Sequence, residues 1–158
     1  MTERKDGPGR FMVAAKALGL DVVLTEFAQS TRTAEEAAAA CGCAVGQIVK
    51  SLVFRGRKSG TPYLLLVAGD NRVDQKGVAS LIGEALDRPD ADFVRELTGF
   101  AIGGIPPLGH DTALATFMDE DLFGHAQVWA AAGSPNAVFA TTPDRLLMAS
   151  KARRIAMT

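Results

Sequence analysis

The chain has 158 residues, 47% of them hydrophobic and 22% charged, which suits one domain spanning residues 1–158 that buries about two-thirds of its unfolded surface without metal or disulfide staples. Its 17 basic and 18 acidic residues leave a net charge of -1, which argues against holding long nucleic acid by bulk electrostatics but allows a local contact. No apolar run approaches bilayer-spanning length and the polar opening MTERKDGPGR has no secretory pattern, so no membrane partner is expected, the cytoplasm is the expected compartment and a monomer the default state.

Phe11, Ala14, Ala15 and Leu18 fall at helical spacing and predict a first helix stopping at Gly19, after which residues 22–27 read as extended. Thr33 with Glu36 at capping-box spacing opens a second helix through the alanine run to Gly42. Residues 48–54 and 62–68 are β-branched or apolar and flank the turn RGRKSGT, predicting a hairpin. Asp74 caps a short helix through Ile82, and Asp90 another through Leu97 before Gly99. Strands are expected at residues 100–102, 113–118, 127–131 and 137–141, with a helical turn at residues 120–123. Thr142 caps a final helix with Pro143 at its first position, where the missing N–H costs nothing. This order predicts an α+β fold in which a mixed β-sheet, flanked by helices, curls toward a barrel.

Lys50 is the first candidate for chemistry. Period two puts it on one strand face with Ile48, Leu52 and Phe54, so its ammonium needs an anionic or carbonyl partner, or a cavity open to water and substrate; the alternative is that it snorkels out along its stem. The second candidate is Gly103-Gly104-Ile105-Pro106-Pro107-Leu108-Gly109-His110. Glycines let the backbone approach a ligand and aim its N–H groups, and prolines hold that arrangement stiff; the plain reading is a tight connection between strands. His110 could hydrogen-bond substrate or shuttle a proton, or be structural. Ser134 and Asn136 sit in a turn between late strands and offer polar groups, while Arg72 and Asp74 belong to a polar loop entering a helix, where capping competes with binding of a phosphate or ribose. Basic residues cluster at Arg55, Arg57 and Lys58, at Arg72 and Lys76, and at the tail Lys151, Arg153 and Arg154, where contact with RNA phosphate competes with a solvated hairpin tip, a helix surface and a frayed terminus.

Cys41 and Cys43 have no further ligands nearby and read as reduced, structural thiols; no metal or other cofactor is expected. The chain has no G-x-S-x-G, G-x-x-x-x-G-K or H-E-x-x-H motif and no G-x-G-x-x-G after a strand. No local arrangement favours a nucleophile paired with a base.

Taken together, the strand 48–54 with its lysine, Arg72-Val73-Asp74-Gln75-Lys76 leading into Val78-Ala79-Ser80-Leu81-Ile82-Gly83, the Gly103–Gly109 loop, and the last strand followed by Thr142-Pro143-Asp144-Arg145-Leu146 resemble the YbaK family of prolyl-tRNA-editing domains over residues 33–147. The resemblance implies a YbaK-like fold and trans-editing: hydrolysis of the ester joining a wrong amino acid to the 3'-terminal adenosine of tRNA, chiefly tRNA for proline. It implies that Lys50 is needed for deacylation and that the loop Gly103, Gly104, Ile105, Pro106 and Pro107 lies beside the aminoacyl group. It also implies a water oriented by a ribose hydroxyl rather than a covalent nucleophile. Separately, the lack of strong positive charge leads to the expectation that a partner such as prolyl-tRNA synthetase, or the acceptor end meeting Arg55, Arg57 or Arg72, helps select the tRNA. His110, Ser134, Asn136, Arg72 and Asp74 are expected around the substrate. Residues 137–140 stand where some relatives carry an acidic residue, and Pro106 where others have serine, so the choice among alanine, cysteine, serine and threonine does not transfer. Two rivals remain: a tRNA- or synthetase-binding module without catalysis, and a hydrolase of small aminoacyl esters or nucleotides that ignores tRNA.

Overall fold

The computed structural model describes residues 6–158; Met1–Lys5 of the polar opening lie outside the described residues. Asp6 caps helix α1 (Gly7–Ala17) by accepting from the Gly9 N–H, with Pro8 in the first turn, so the helix begins before the periodic stretch that announces it. There follow β1 (Leu24–Glu26), α2 (Ala34–Cys41), β2 (Ile48–Gly56), β3 (Pro62–Ala68), α3 (Gln75–Ile82), β4 (Leu86–Asp87), α4 (Ala91–Thr98), β5 (Ala115–Asp119), β6 (Val128–Ser134), β7 (Ala137–Thr141), α5 (Pro143–Ser150) and β8 (Arg153–Ile155). Side chains of Thr33, Asp74, Asp90 and Thr142 accept from the third residue beyond each, and Gly42, Gly83 and Gly99 close their helices in the left-handed conformation. Glu36 returns its bond to the N–H of Arg32 rather than Thr33.

The strands form one mixed sheet in the order β1-β7-β6-β2-β3-β5-β8, with β4 joined separately to β2; it curls without closing. β2 and β3 are antiparallel from Val49↔Ala68 to Arg55↔Pro62, so the hairpin stands as predicted. On β2, Val49 and Val53 enter the principal core with Phe11, Leu64, Leu66 and Phe139. On its other face Ile48 packs with α2 and Trp129, while Leu52 and Phe54 join Leu65, Val67 and Val78. Lys50 stands in that second row, between two apolar clusters.

Residues 100–102 are not a strand. Gly99 is left-handed, Thr98 Oγ1 bonds both the N–H and the carbonyl of Phe100, and the Gly104 N–H turns back to Ala101 O at 3.0 Å, so local bonds use up the backbone a ladder would need. The basic tail is not frayed: β8 pairs parallel with β5, Ile155 and Met157 are buried, and the Arg154 guanidinium lies 4.2 Å from the Phe123 ring centre. β4 also escapes sequence patterning, being a pair of residues fastened by Arg55↔Asp87 and Gly56↔Leu86.

The hairpin tip is held by one carboxylate. Glu84 accepts from the N–H groups of Lys58 and Ser59, from Ser59 Oγ and from Tyr63 OH, and the Ser59 bonds foremost pull its pKa down to about 2. A lowered folded pKa means the contribution is complete above the unfolded value near 4.5 and is lost as pH falls toward 2. In an acid titration followed by amide exchange, protection at residues 57–61 therefore falls over that window, and Glu84→Gln removes the pH dependence; equal titration in the variant contradicts the assignment.

Candidate functional site

Pairing between β2 and β6 is short. It is parallel and covers only Ile48↔Trp129 and Val49↔Ala130, and on the same edge of β2 strand β4 starts again at Arg55↔Asp87. Between them the sheet parts. β6 turns away through an irregularity in which it advances from Ala131 to Ser134 while β7 moves only from Val138 to Ala137. The gap is a cavity of about 270 Å³ whose lining includes Lys50, Ser51 and Val53 on β2, Ala131 and Ser134 on β6, Arg88, the start of α2, and Gly103 and Ile105 of the Gly/Pro loop.

Lys50 lines this cavity, and its Nζ donates to the Asn71 carbonyl at 2.6 Å. Asn71 is itself fixed: its Nδ2 donates to Asp119 Oδ2 at 2.9 Å and to Asp121 Oδ2 at 2.7 Å. Asp119, fully buried, also accepts from the Ala68 N–H at 3.0 Å and the Asp121 N–H at 2.9 Å. The ammonium is thus held by a neutral carbonyl at the end of β3, with the two acids one bond further out. Among the described residues it makes no ion pair. Nothing local in the sequence signals this role for Asp119, since the bonds join residues far apart in the chain.

Within the loop, Gly103 and Ile105 face the cavity, while Gly104, Pro106 and Pro107 lie buried behind them. Gly104 accepts the Gly133 N–H at 3.0 Å, and an added Cβ would stand 2.6 Å from the Ser134 Cα, so only glycine permits loop and β6 to approach this closely. Gly103 has φ +94, a conformation that favours glycine. His110 does not line the cavity. Its Nε2 is 2.7 Å from the Pro106 carbonyl, which requires that nitrogen to carry the proton, and burial holds its pKa below the usual histidine value. A neutral His110 braces the loop from behind.

Ser134 lines the cavity, and its hydroxyl donates to Asn136 Oδ1 at 2.8 Å. Asn136 is outside the lining and donates to the Phe27 carbonyl. Asp74 caps α3, and Arg72 is exposed; neither lines the cavity. Of the expected substrate set, then, the structure brings Lys50, Gly103, Ile105 and Ser134 together and leaves the others supporting or apart. Cys41 and Cys43 are free thiols, with burial foremost in pushing Cys41 up to about 11, so both stay protonated and weakly nucleophilic near neutrality.

The described residues lining the cavity include three cations, Arg32, Lys50 and Arg88, and no carboxylate, imidazole or thiol. Such a wall can bind anionic or carbonyl oxygen and orient water, but it offers no side-chain base for a covalent mechanism. A second groove, whose charged lining is Arg55, Arg57, Lys58 and Arg88 against Asp87 and Asp90, shares Arg88 and Pro89 with the first. Arg55 lies over the Phe93 ring and Arg88 over Phe54, which hold both guanidinium groups in place; Arg57 is paired with Asp87. No helix among the described residues is long and apolar enough to cross a membrane, and none of their His, Cys, Asp and Glu side chains cluster as ligands for a metal ion.

Lys50, Gly103 and Ile105 thus line one slot in a curled mixed sheet, with Arg32 and Arg88 as its other cations. Residues 28–149 match the model of the aminoacyl-tRNA editing domain, and the chain belongs to that family. It is 35% identical over 125 residues to the uncharacterized protein YwhH of Bacillus subtilis, covering 78% of each chain. It is 30% identical over 114 residues to a proline–tRNA ligase of Limosilactobacillus fermentum; that match takes in 69% of this chain and 20% of the ligase. A crystal structure described as a candidate trans-editing enzyme for prolyl-tRNA synthetase superposes with a TM-score of 0.92 at 47% identity, covering 98% of both chains.

Proposed function

We propose that the protein is a trans-editing deacylase that hydrolyses the ester between a small wrong amino acid and the 3'-terminal adenosine of tRNA for proline. The observation that carries this is Lys50 lining the same slot as Gly103 and Ile105, with no acid, imidazole or thiol among the described lining residues. Water attacks the ester carbonyl, the carbon–oxygen bond to the ribose breaks, and free amino acid and a ribose hydroxyl are released. Lys50 and loop N–H groups stabilise charge as it develops on the carbonyl oxygen, and a ribose hydroxyl of the substrate orients the water. Family membership, the ligase relatives and the trans-editing neighbour support this reading. The test is to incubate the protein with tRNA for proline charged with alanine, cysteine, serine or threonine. At least one ester is expected to be lost faster than in buffer, and loss of none ends the claim. A binding module without catalysis, also compatible with a lining that lacks a base, would leave every ester intact while retaining the tRNA.

The basic groove beside the slot suits the backbone of the tRNA acceptor end. Replacing Arg55 and Lys58 by Gln is expected to lower the salt dependence of kcat/KM by roughly 0.7 in log–log slope for each phosphate that is no longer neutralised. Arg72→Gln, outside both grooves, should leave the slope alone. An unchanged slope in the double variant places the RNA elsewhere.

A further inference from the structure

The parted sheet leaves part of its own backbone unused. The Gly56 N–H bonds Thr61 O across the hairpin, so in the unbroken register of β2 with β3 the even residues, Leu52 and Phe54 among them, direct their backbone groups to β3. The odd residues point the other way, as the Arg57 N–H to Ala85 O bond shows on the β4 side. Pairing with β6 ends at Val49 and pairing with β4 begins at Arg55, so the N–H and C=O of Ser51 and Val53 face the slot with no strand beside them. Ser51 Oγ is also buried and has no hydrogen-bond partner, the sole such side-chain atom among the described residues. A buried donor or acceptor left unmade is costly, and here several converge on one cavity.

We infer that this stretch of β2 is the docking edge for the aminoacyl group, which binds as a strand of one residue: its α-amino group donates to the Ser51 carbonyl, its carbonyl accepts from the Val53 N–H, and Ser51 Oγ completes the contact. The inference rests on the editing reading for its ligand and adds which atoms hold that ligand. It also answers a charge problem. Arg32, Lys50 and Arg88 line the slot without a carboxylate, so an amine entering it finds acceptors only in backbone carbonyls and hydroxyls. Strand addition to an open edge supplies these in alternation with donors, at the spacing an amino acid presents. Because the contacts are to main chain, they select for an α-amino acid and leave the choice of side chain to the apolar wall.

The probe is adenosine carrying alanine through a 3' amide, which cannot be cleaved as an ester, compared with the same compound carrying propionate and so lacking the amine. In the free protein the Ser51 and Val53 amides should exchange faster than those of Leu52 and Phe54. On binding the alanyl probe they should shift and become protected, and the propionyl probe should bind about tenfold more weakly, the equivalent of one hydrogen bond. Ser51→Ala should weaken the alanyl probe by about tenfold while leaving thermal stability unchanged or raised, which a merely structural serine would not do. Binding with both amides unmoved overturns the inference, as does failure of the probe to bind a protein that still deacylates tRNA, in which case the editing reading survives. Docking at these amides by a protein that hydrolyses no mischarged tRNA upholds the edge and removes the deacylase.

Discussion

Replacing Lys50 by Met should lower the rate of deacylation by about 10² to 10³ while the protein still folds, the scale seen when one preorganised electrostatic contact to a developing charge is removed. The side chain is well placed for that effect, because its only described partner is the Asn71 carbonyl at 2.6 Å and no carboxylate lies on it to cancel the charge. Methionine keeps the stem and much of the packing between Ile48 and Leu52, so unfolding should not obscure the result. Single-turnover assays with saturating enzyme separate the chemical step from binding: a fall in the maximal rate at little change in half-saturation places the ammonium on the transition state. A rate within threefold of the parent would show that Lys50 serves only to fill its corner.

The largest loss of stability is expected at Asp119. It is fully buried, and its carboxylate accepts from Ala68, Asn71 and Asp121. Asp119→Ala strands the Ala68 N–H in the core and leaves the Asn71 side chain held by Asp121 alone, at a cost of about 3 to 5 kcal/mol. For a protein of this size that corresponds to a fall of roughly 10 °C in Tm. Asp119→Asn keeps one acceptor oxygen and should lose less. Because the same carboxylate steadies the residue whose carbonyl holds Lys50, the Asn variant, assayed below its melting range, should also lose maximal rate more than affinity. Full activity there would make Asp119 a matter of folding alone.

Much of the architecture is legible because local chemistry agrees with it. Thr33, Asp74, Asp90 and Thr142 announce helix starts by the bonds they then make, and β2 and β3 carry enough apolar residues at period two to show both the hairpin and the unusual place of Lys50. Elements settled by partners far along the chain were not legible. β4 and β8 are short, and what fixes them is their alignment with β2 and β5. Residues 100–102 read as a strand because Phe100 and Ile102 alternate with a small residue, while the deciding influence, Thr98 Oγ1, lies just before them. Lys50 was visible in the sequence as a polar residue out of place. Ser51 beside it was not, since a serine in a strand is unremarkable until the neighbouring strand is known to be missing. His110 stands out at the end of the Gly/Pro loop, yet a proton carrier and a brace look alike before the Pro106 carbonyl is found against its ring.

The departure of β6 from β2 has a consequence for how this site could be lost. Helix α1 lies against β6 from behind, and an added Cβ at Gly133 would stand 2.3 Å from the Gly7 carbonyl oxygen. A side chain at either glycine would therefore push α1 and β6 apart, and β6 carries one wall of the slot through Ala131 and Ser134. Substitution there would shift β6 and with it the shape of the opening, so the site can be lost from residues that never line it.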